Sequence, residues 1–403
     1  MPTITLICNE FPPIIMGGIG NTARVLANNY QNIKDLKINV ITAKYNENND
    51  LPKIEKKGNI TIYRIKAPSW FETIINKFYK KNLCFPFYVG LFCFFNKKLI
   101  KESDLIHSLH VRDVSFLIKH KKPLILNLSD VYAYLIPINP FKYPFNERGK
   151  FLKYLNHMWF RVIDYISMKK ADAVLNSCNY SKEICEEIYH FSRGKTNVVH
   201  KGTDFPSLKN IPKKEIDVIF IGSRFEIKGA KEVLFAINIL KKEYPNIKCL
   251  MIGRYSRFDY DYEKFIKDNN LQNNITILGN TSHDKIFEYL KKSKVFVNPT
   301  HLEMYSHTLT EAMSVKLPVI SSDVGGNPEL VDHKENGFII KSTDYNSLAK
   351  YIDFLLKNPG IAKKMGEKGY KKVKEEFSEN QMVEKYINLY NKFLPQNKQI
   401  KII

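Results

Sequence analysis

The sequence predicts an α/β protein of two domains, each built on a doubly wound parallel sheet. Short apolar runs alternate with segments that have the spacing of amphipathic helices, which is typical of this class. The 403 residues exceed what a single hydrophobic core usually holds. A glycine-containing loop follows the first predicted strand of each domain, at the edge where parallel sheets bind ligands.

The first domain is predicted to open with a strand from Thr3 to Cys8. The loop after it contains Gly17 and Gly18 and leads into a helix from Asn21 to Tyr30. Glycine lets a backbone approach a phosphate closely, so both glycines are candidates for binding the phosphates of a ligand. The alternative is that they only form a tight connection between strand and helix. Further strands are predicted at Ile38 to Thr42, Thr61 to Ile65, Leu105 to His107, Leu124 to Leu128 and Ala173 to Asn176.

A polar linker with Pro206 and Pro212 separates the two domains. We therefore place the first domain at residues 1–204, the second at 215–378, and a final helical segment at 379–403. Strands of the second domain are predicted at Ile216 to Ile221, Lys248 to Ile252, Ile275 to Leu278, Val295 to Val297 and Leu317 to Ser321.

Two carboxylates lie near one predicted helix start in the second domain. Glu303 follows the strand Val295 to Val297, and Glu311 lies in the helical segment LTEAMS. Amides at a helix start can bind a diphosphate, and a carboxylate one turn further can accept hydrogen bonds from ribose hydroxyls. Glu303 would face the group that the diphosphate carries, unless both carboxylates are merely solvated charges. The amides in question belong to Tyr305, Ser306, His307 and Thr308.

Two cationic side chains follow the strand Ile216 to Ile221. Lys228 immediately precedes a predicted helix that starts at Ala230, and Arg224 lies four residues earlier. Cations at such a position can neutralise the charge of a departing diphosphate. The alternative is a solvated basic turn.

The spacing of Glu303 and Glu311, followed by PVISSDVGGNPELV, resembles family 4 of the retaining glycosyltransferases, in the GT-B superfamily. Lys228-Gly229 resembles the end of the family pattern G-R-x4-K-G, with Arg224 one place late. Gly17 and Gly18 match the family's glycine pair after the first strand. The resemblance implies a GT-B fold, with two Rossmann-like domains facing across a cleft and a last helix crossing back to the first domain. At Met304 and Ser306 the family commonly has glycine, so side chains there predict a narrower phosphate contact.

The resemblance also implies an acceptor side in the first domain. Asp104-Leu105-Ile106-His107 resembles the family's D-x-x-H, so His107 is a candidate for contact with the acceptor or the transferred sugar. The alternative is a histidine already satisfied within the protein. Asp130 is a candidate for binding an acceptor hydroxyl, with Ser129 where the family often has histidine.

The expected reaction is transfer of a sugar, with retention, from a UDP- or GDP-sugar to a glycan or lipid-linked acceptor, as in surface polysaccharide synthesis. No D-x-D pair at a strand end and no cysteine or histidine at zinc spacing predicts a metal, so we expect neither metal nor cofactor. Two alternatives stay open: a nucleotide-sugar 2-epimerase on the same fold, and a non-catalytic basic protein that binds membranes or nucleic acid.

The formal charge of +21 raises the question of an anionic partner. Lysines are scattered and no base-reading module is present, so no nucleic acid is expected. An uncharged stretch from Leu83 to Phe95 is too short to span a bilayer, which takes about 20 helical residues. Its lysine flanks, and a second aromatic and basic stretch from Asn139 to Arg161, predict peripheral contact with an anionic membrane; a buried helix pair is the alternative.

Six dispersed cysteines are typical of reduced core residues. The first residues have the pattern of a strand and lack the basic start of a secretion signal. We therefore expect a cytoplasmic protein, peripheral on the inner face of the cell membrane.

Overall fold

The chain folds into two compact units. A computed structural model describes residues 1–15, 18–44, 50–66, 84–117, 121–128, 148–209, 212–222, 224–255 and 260–401, without the side chains of residues 84 and 148–157. Met1–His200 and Met382–Ile403 form the first unit, and Lys201–Gln381 forms the second. Gly17, Asp130 and residues 139–147 of the second aromatic stretch lie outside the described residues.

The described strands of the first unit form one sheet of eight, in the order β3-β4-β2-β1-β5-β6-β7-β8. Neighbours pair in parallel except β3 and β4. The strands are β1 Thr3–Cys8, β2 Lys37–Ala43, β3 Ile54–Lys57, β4 Ile60–Ile65, β5 Leu105–Ser108, β6 Leu124–Leu128, β7 Ala173–Asn176 and β8 Thr196–Val198. The helices before residue 200 are α1 Gly18–Tyr30, α2 Cys84–Phe95, α3 Lys97–Glu102, α4 Arg148–Lys170 and α5 Asn179–Ile188.

The second unit contains a six-stranded sheet in which every pair of neighbours is parallel, in the order β11-β10-β9-β12-β13-β14. Its strands are β9 Ile216–Gly222, β10 Cys249–Gly253, β11 Ile275–Leu278, β12 Ser293–Asn298, β13 Val319–Ser322 and β14 Gly337–Ile340. The helices are α6 Phe225–Lys228, α7 Ala230–Leu240, α8 Tyr262–Asp268, α9 His283–Lys292, α10 His307–Ser314, α11 Asn327–Leu330, α12 Tyr345–Lys357 and α13 Pro359–Glu376. The chain continues as α14, Glu379–Phe393.

Apolar residues on both faces of each central strand explain why these strands are buried. In β9, Val218 and Phe220 point into one hydrophobic core, while Ile219 and Ile221 point into another. Successive side chains of a strand alternate between faces, so a continuous apolar run requires cover on both sides. Helix α7 and α12 residues supply one core, and α9, α10 and α13 residues supply the other.

The core of the first unit needs residues from both ends of the chain. Ile4 and Leu6 of β1 pack in the same cluster as Leu26 of α1. Ile387 and Tyr390 of α14 belong to that cluster and are fully buried. The first unit is therefore completed by the last helix of the sequence.

The predicted α/β class with two parallel sheets is confirmed. Each predicted strand is present, with ends shifted by at most two residues. Strand β3 was missed because IEKK has no apolar run; it is mostly exposed and pairs antiparallel with β4 across Gly58. No helix in the described ranges is long and apolar enough to cross a membrane. The described cysteines, Cys8, Cys93, Cys178, Cys185 and Cys249, are buried, and none of them is in a disulfide.

Candidate active site

The strand order of the second unit brings two loops together. Strands β9 and β12 are neighbours although 70 residues apart, and the sheet reverses its direction of winding between them. The loops that follow them therefore leave the same edge side by side. One carries Arg224 and Lys228, and the other carries Glu303.

Gly229 is required for the contact between these loops. Its φ is +77°, and a Cβ there would lie 1.9 Å from the carbonyl oxygen of Pro299. The backbone N–H of His301 donates to the carbonyl of Ile227 at 2.8 Å, and the Thr300 hydroxyl donates to the same oxygen at 3.1 Å. The two loops are thus joined backbone to backbone.

Lys228 and Glu303 form an ion pair at this junction. The Lys228 ammonium donates to Oε2 of Glu303, and both side chains are largely buried. Gly222 leaves room for the lysine, because a Cβ on Gly222 would come within 2.8 Å of Lys228 Cβ. Two partly desolvated charges that the sequence analysis assigned to diphosphate and sugar are therefore in direct contact.

The Gly325-Gly326 pair supports Glu303 from the other side. Gly325 has a φ of +61°, and a Cβ there would lie 1.7 Å from the carbonyl oxygen of Glu303. The N–H of Gly326 donates to the carbonyl of Met304 at 3.0 Å. These glycines let the loop after β13 pack against the Glu303 backbone.

The segment before α10 points its side chains inward. Met304, Tyr305 and Ser306 are buried. The Tyr305 hydroxyl donates to the carbonyl of Lys201 at 2.9 Å, and the Asn298 amide donates to the Ser306 hydroxyl at 3.3 Å. The side chains of Met304 and Ser306, where the family commonly has glycine, thus lie in the interior, and a narrower phosphate contact stays a prediction.

His307 begins α10 as a partly buried, neutral histidine whose Nε2 is buried. Burial, together with the positive charges of Lys201, His283 and Lys228, lowers its pKa from 6.5 to about 3. Its Nε2 has no hydrogen-bond partner. Buried polar atoms usually have a partner, and the amides of a first helical turn have no acceptor within the helix. This cluster of donors and cations suits an anionic ligand.

Of the other residues predicted to bind the sugar donor, Thr308 and Glu311 lie in α10 and Arg224 lies before α6. Glu311 Oε1 is 2.9 Å from Nε2 of His283, at the start of α9. The Thr308 hydroxyl is 3.4 Å from that of Ser306. Arg224 is exposed immediately before α6. In the ranges that the structure describes, no group of three or more His, Cys, Asp or Glu residues could hold a metal.

His107 of the first unit is enclosed by the last helix. Its Nε2 is 2.9 Å from Oδ1 of Asn127, and its Nδ1 is 2.6 Å from the hydroxyl of Tyr390. The Asn127 amide donates to Tyr386, so its oxygen accepts from His107 and Nε2 carries the proton. The ring is fully buried and both nitrogens are bonded, which leaves it no contact with a ligand in this conformation. Gly18, the other described candidate in this unit, begins α1.

The buried His107 makes the stability of the first unit depend on pH. Burial lowers its pKa from 6.5 to about 4, so the unfolded chain binds more protons between these values. Its contribution is complete above pH 6.5 and is lost as the pH falls. We expect about 2 kcal/mol less unfolding free energy at about pH 5 than at about pH 7.5 from this residue.

Urea unfolding followed by tryptophan fluorescence measures this change, since both tryptophans, Trp70 and Trp159, lie in the first unit. His107→Gln keeps hydrogen-bonding groups but cannot titrate, so its unfolding free energy should change less between the two pH values. An equal change in wild type and variant would contradict the assignment.

Sequence reasoning missed Lys201 and His283 as members of this site. Lys201 lies just before the polar linker, outside the motifs quoted above. His283 starts a helix whose place beside α10 depends on tertiary packing. Their positive charges act on His307, which neither spacing nor composition indicates.

The second unit was compared with models of known protein families. Residues 203–372 match the model of the family described as Glycosyl transferases group 1. Over these residues the second unit resembles that family. The match includes Lys228, His283, Glu303, His307 and Glu311, whereas Lys201 lies just before it.

Named proteins are similar to part of this chain. The capsular polysaccharide biosynthesis glycosyltransferase CapM of Staphylococcus aureus is 29% identical over 181 residues, 44% of this chain and 46% of CapM. The chain spans about half the length of CapM and of other curated relatives that it matches.

Solved structures match almost the whole chain. Sucrose-phosphate synthase of Thermosynechococcus elongatus has a TM-score of 0.70 at 18% identity, covering 97% of this chain and 99% of that one. Anabaena HepE in complex with UDP-glucose has a TM-score of 0.68 at 17% identity, covering 97% and 99%. The chain therefore shares the fold of these proteins, with two parallel-sheet α/β domains.

Proposed function

We propose that this protein is a retaining, metal-independent glycosyltransferase that uses a nucleotide-diphosphate sugar. One observation carries the proposal: the buried, unpartnered Nε2 of His307 lies at the start of α10, among the charges of Lys201, His283 and Lys228. A helix start with surrounding cations is suited to a diphosphate.

Stabilisation of the leaving diphosphate would come from this chain's own cations and amides. Lys228 is paired with Glu303 in the structure, and an incoming phosphate would compete for the same ammonium. Donors aimed at charge that develops in the transition state are each typically worth about 3 kcal/mol. With Lys201 and His283 nearby, the site supplies positive charge without requiring a divalent ion.

The two carboxylates would bind the sugars at either end of the diphosphate. Glu311, close to the start of α10 and bonded to His283, would accept hydrogen bonds from the ribose. Glu303 would orient the donor sugar. We assign Glu303 no role as a nucleophile, because its pairing with Lys228 stabilises the carboxylate; retention follows from the family 4 resemblance and belongs to the proposal.

The donor class and the acceptor are part of the proposal. HepE has been crystallised with UDP and with UDP-glucose, which favours a UDP-sugar over a GDP-sugar here. CapM and the poly(ribitol-phosphate) α-N-acetylglucosaminyltransferase of Staphylococcus aureus favour a surface glycan or its lipid-linked precursor as acceptor. For the first domain, Gly17, Gly18 and Asp130 stay predicted site residues, and His107 could contact a ligand only in a conformation other than the one described. We place the reaction in the cytoplasm, at the membrane surface.

Donor binding tests this proposal directly. A panel of UDP-, GDP-, ADP- and dTDP-sugars would be titrated by calorimetry in the presence of a chelator. We expect one class to bind, and Lys228→Ala and Glu311→Ala each to weaken binding at least about tenfold, since each removes a charged hydrogen-bond partner.

Lys294→Ala is the matched control. Lys294 pairs with Asp217 at 2.7 Å near the opposite ends of β9 and β12, so its loss should leave donor binding unchanged. Slow release of free sugar from the bound donor would support transfer, whereas conversion to its 2-epimer would favour an epimerase. No binding by any donor would overturn the proposal.

A further inference from the structure

Helix α4 exposes several large apolar side chains to solvent and buries two polar ones, beside the buried Ile163 and Met168. Asp164 and Ser167 are fully buried, and Asp164 accepts two hydrogen bonds from Arg112. The described exposed side of the helix carries Trp159, Val162, Tyr165 and Ile166, each between 39% and 47% exposed. Surface helices normally have the opposite arrangement. Four large apolar side chains on one exposed side therefore indicate a surface that binds something.

Helix α2 has a similar exposed side. Leu91, Phe94 and Phe95 follow helical spacing and are exposed, Phe95 at 77%. The opposite side, with Val89 and Cys93, is buried. The sequence analysis left open whether this segment is buried or contacts a membrane; the structure shows one helix with one side in the core and an aromatic side in solvent.

The two exposed sides flank one short segment. Helices α2 and α4 both pack against the turn Val111–Val114. Phe116, which follows that turn and is 45% exposed, makes an edge-to-face contact with Phe87 of α2 at 5.9 Å. Lys170, at the end of α4, donates to the carbonyls of Ser115 and Leu117. The exposed side chains of α2, Phe116 and α4 thus form one surface, here called the aromatic face.

Cations border the aromatic face. Lys97 lies 4.6 Å above the ring of Phe94, and Lys169 lies 5.1 Å from the ring of Tyr165. From Met158 to Lys170, where its side chains are described, α4 carries the cations Arg161, Lys169 and Lys170 and a single acidic residue, Asp164, which is buried against Arg112. Beyond α2, Glu102 of α3 lies 3.8 Å from Lys98. The border is therefore strongly basic.

We propose that the aromatic face docks on an anionic lipid membrane. Aromatic rings enter the interface between head groups and acyl chains, while lysines at the edge bind anionic head groups. A second copy of this chain fits less well as the partner, because a two-fold contact through the aromatic face would bring the basic borders of the two copies together. The proposed function places the reaction at the membrane surface, and this inference identifies the part of the protein that would contact the membrane. It rests on the proposed function only for the identity of the acceptor.

Vesicle co-sedimentation of the full chain tests the proposal. We expect binding to phosphatidylcholine vesicles that contain phosphatidylglycerol, and weaker binding to phosphatidylcholine alone. Phe95→Ser with Ile166→Ser should lower the partition coefficient at least about tenfold for both compositions, because burial of apolar area is lost. Lys97→Gln with Lys169→Gln should lower it by roughly fivefold for each lysine, and only with the anionic lipid.

Ile361→Ser is the matched control, since Ile361 is 45% exposed on α13 of the second unit. Its binding should equal that of wild type. Equal binding by wild type and the aromatic-face variants, or a wild-type dimer in light scattering that Phe95→Ser with Ile166→Ser dissociates, would overturn the proposal. Donor affinity measured without vesicles separates this outcome from failure of the proposed function, because no aromatic-face variant changes the second unit.

Discussion

Replacement of Glu303 by alanine is expected to lower the rate of sugar release from the donor by about 10²–10³-fold. The carboxylate is buried beside Lys228, so its removal takes away the group that positions the ammonium and, under the proposed function, a contact with the sugar. Single-turnover kinetics with the donor identified by titration would measure the rate, and calorimetry would measure donor affinity separately.

The double variant Lys228→Ala with Glu303→Ala shows whether the pair works as a unit. If the two side chains position each other, the double variant should lose little more than the more impaired single variant. Losses that multiply would mean that each acts alone. Lys294→Ala with Asp217→Ala removes an ion pair at the opposite ends of the same two strands, β9 and β12. This double variant should leave the rate near that of wild type.

Gly325→Ala should cost about 3 kcal/mol of unfolding free energy in the second unit. The residue has a left-handed φ, and the added Cβ would fall 1.7 Å from the Glu303 carbonyl oxygen, so the backbone of that loop must move. Binding of the sugar donor should weaken as well, because a shift of the Glu303 loop would displace the start of α10, which follows Glu303 in the chain. Calorimetric unfolding measures the first effect and donor titration the second.

Gly360→Ala provides the comparison for this substitution. It lies at the start of α13, where a Cβ would meet nothing within 4 Å, and its φ is not left-handed. Its stability and donor affinity should match those of wild type. A Gly325→Ala protein as stable as Gly360→Ala would show that the loop after β12 yields easily, contrary to the packing described.

The strands and the helix after Glu303 could be predicted because their information is local. Runs such as Ile216 to Ile221 are apolar at every position, and a strand buried on both faces needs nothing else to be recognised. The placement of Lys228 and Glu303 on one edge followed from strand order in a doubly wound sheet. Their pairing did not, since it depends on how closely Gly229 and Gly325 let three loops approach.

His107 illustrates what local sequence omits. Its position at the end of a predicted strand indicated an exposed edge, but residues about 280 positions later cover it. Tyr386 and Tyr390 are ordinary aromatic residues of an amphipathic helix, and nothing in their spacing tells which sheet they join. Likewise, the exposed apolar side of α4 could not be assigned from periodicity alone, because periodicity gives two sides of a helix without telling which is buried.

The contribution of α14 to the first core has a consequence for synthesis. A ribosome releases the chain from its first residue onward, and domains usually fold in that order. Here Ile387 and Tyr390 complete a core that begins at Ile4, whereas Lys201–Gln381 is one continuous segment. The segment Lys201–Gln381 can therefore complete its fold first, while one apolar face of the first unit's sheet stays uncovered until α14 has been synthesised.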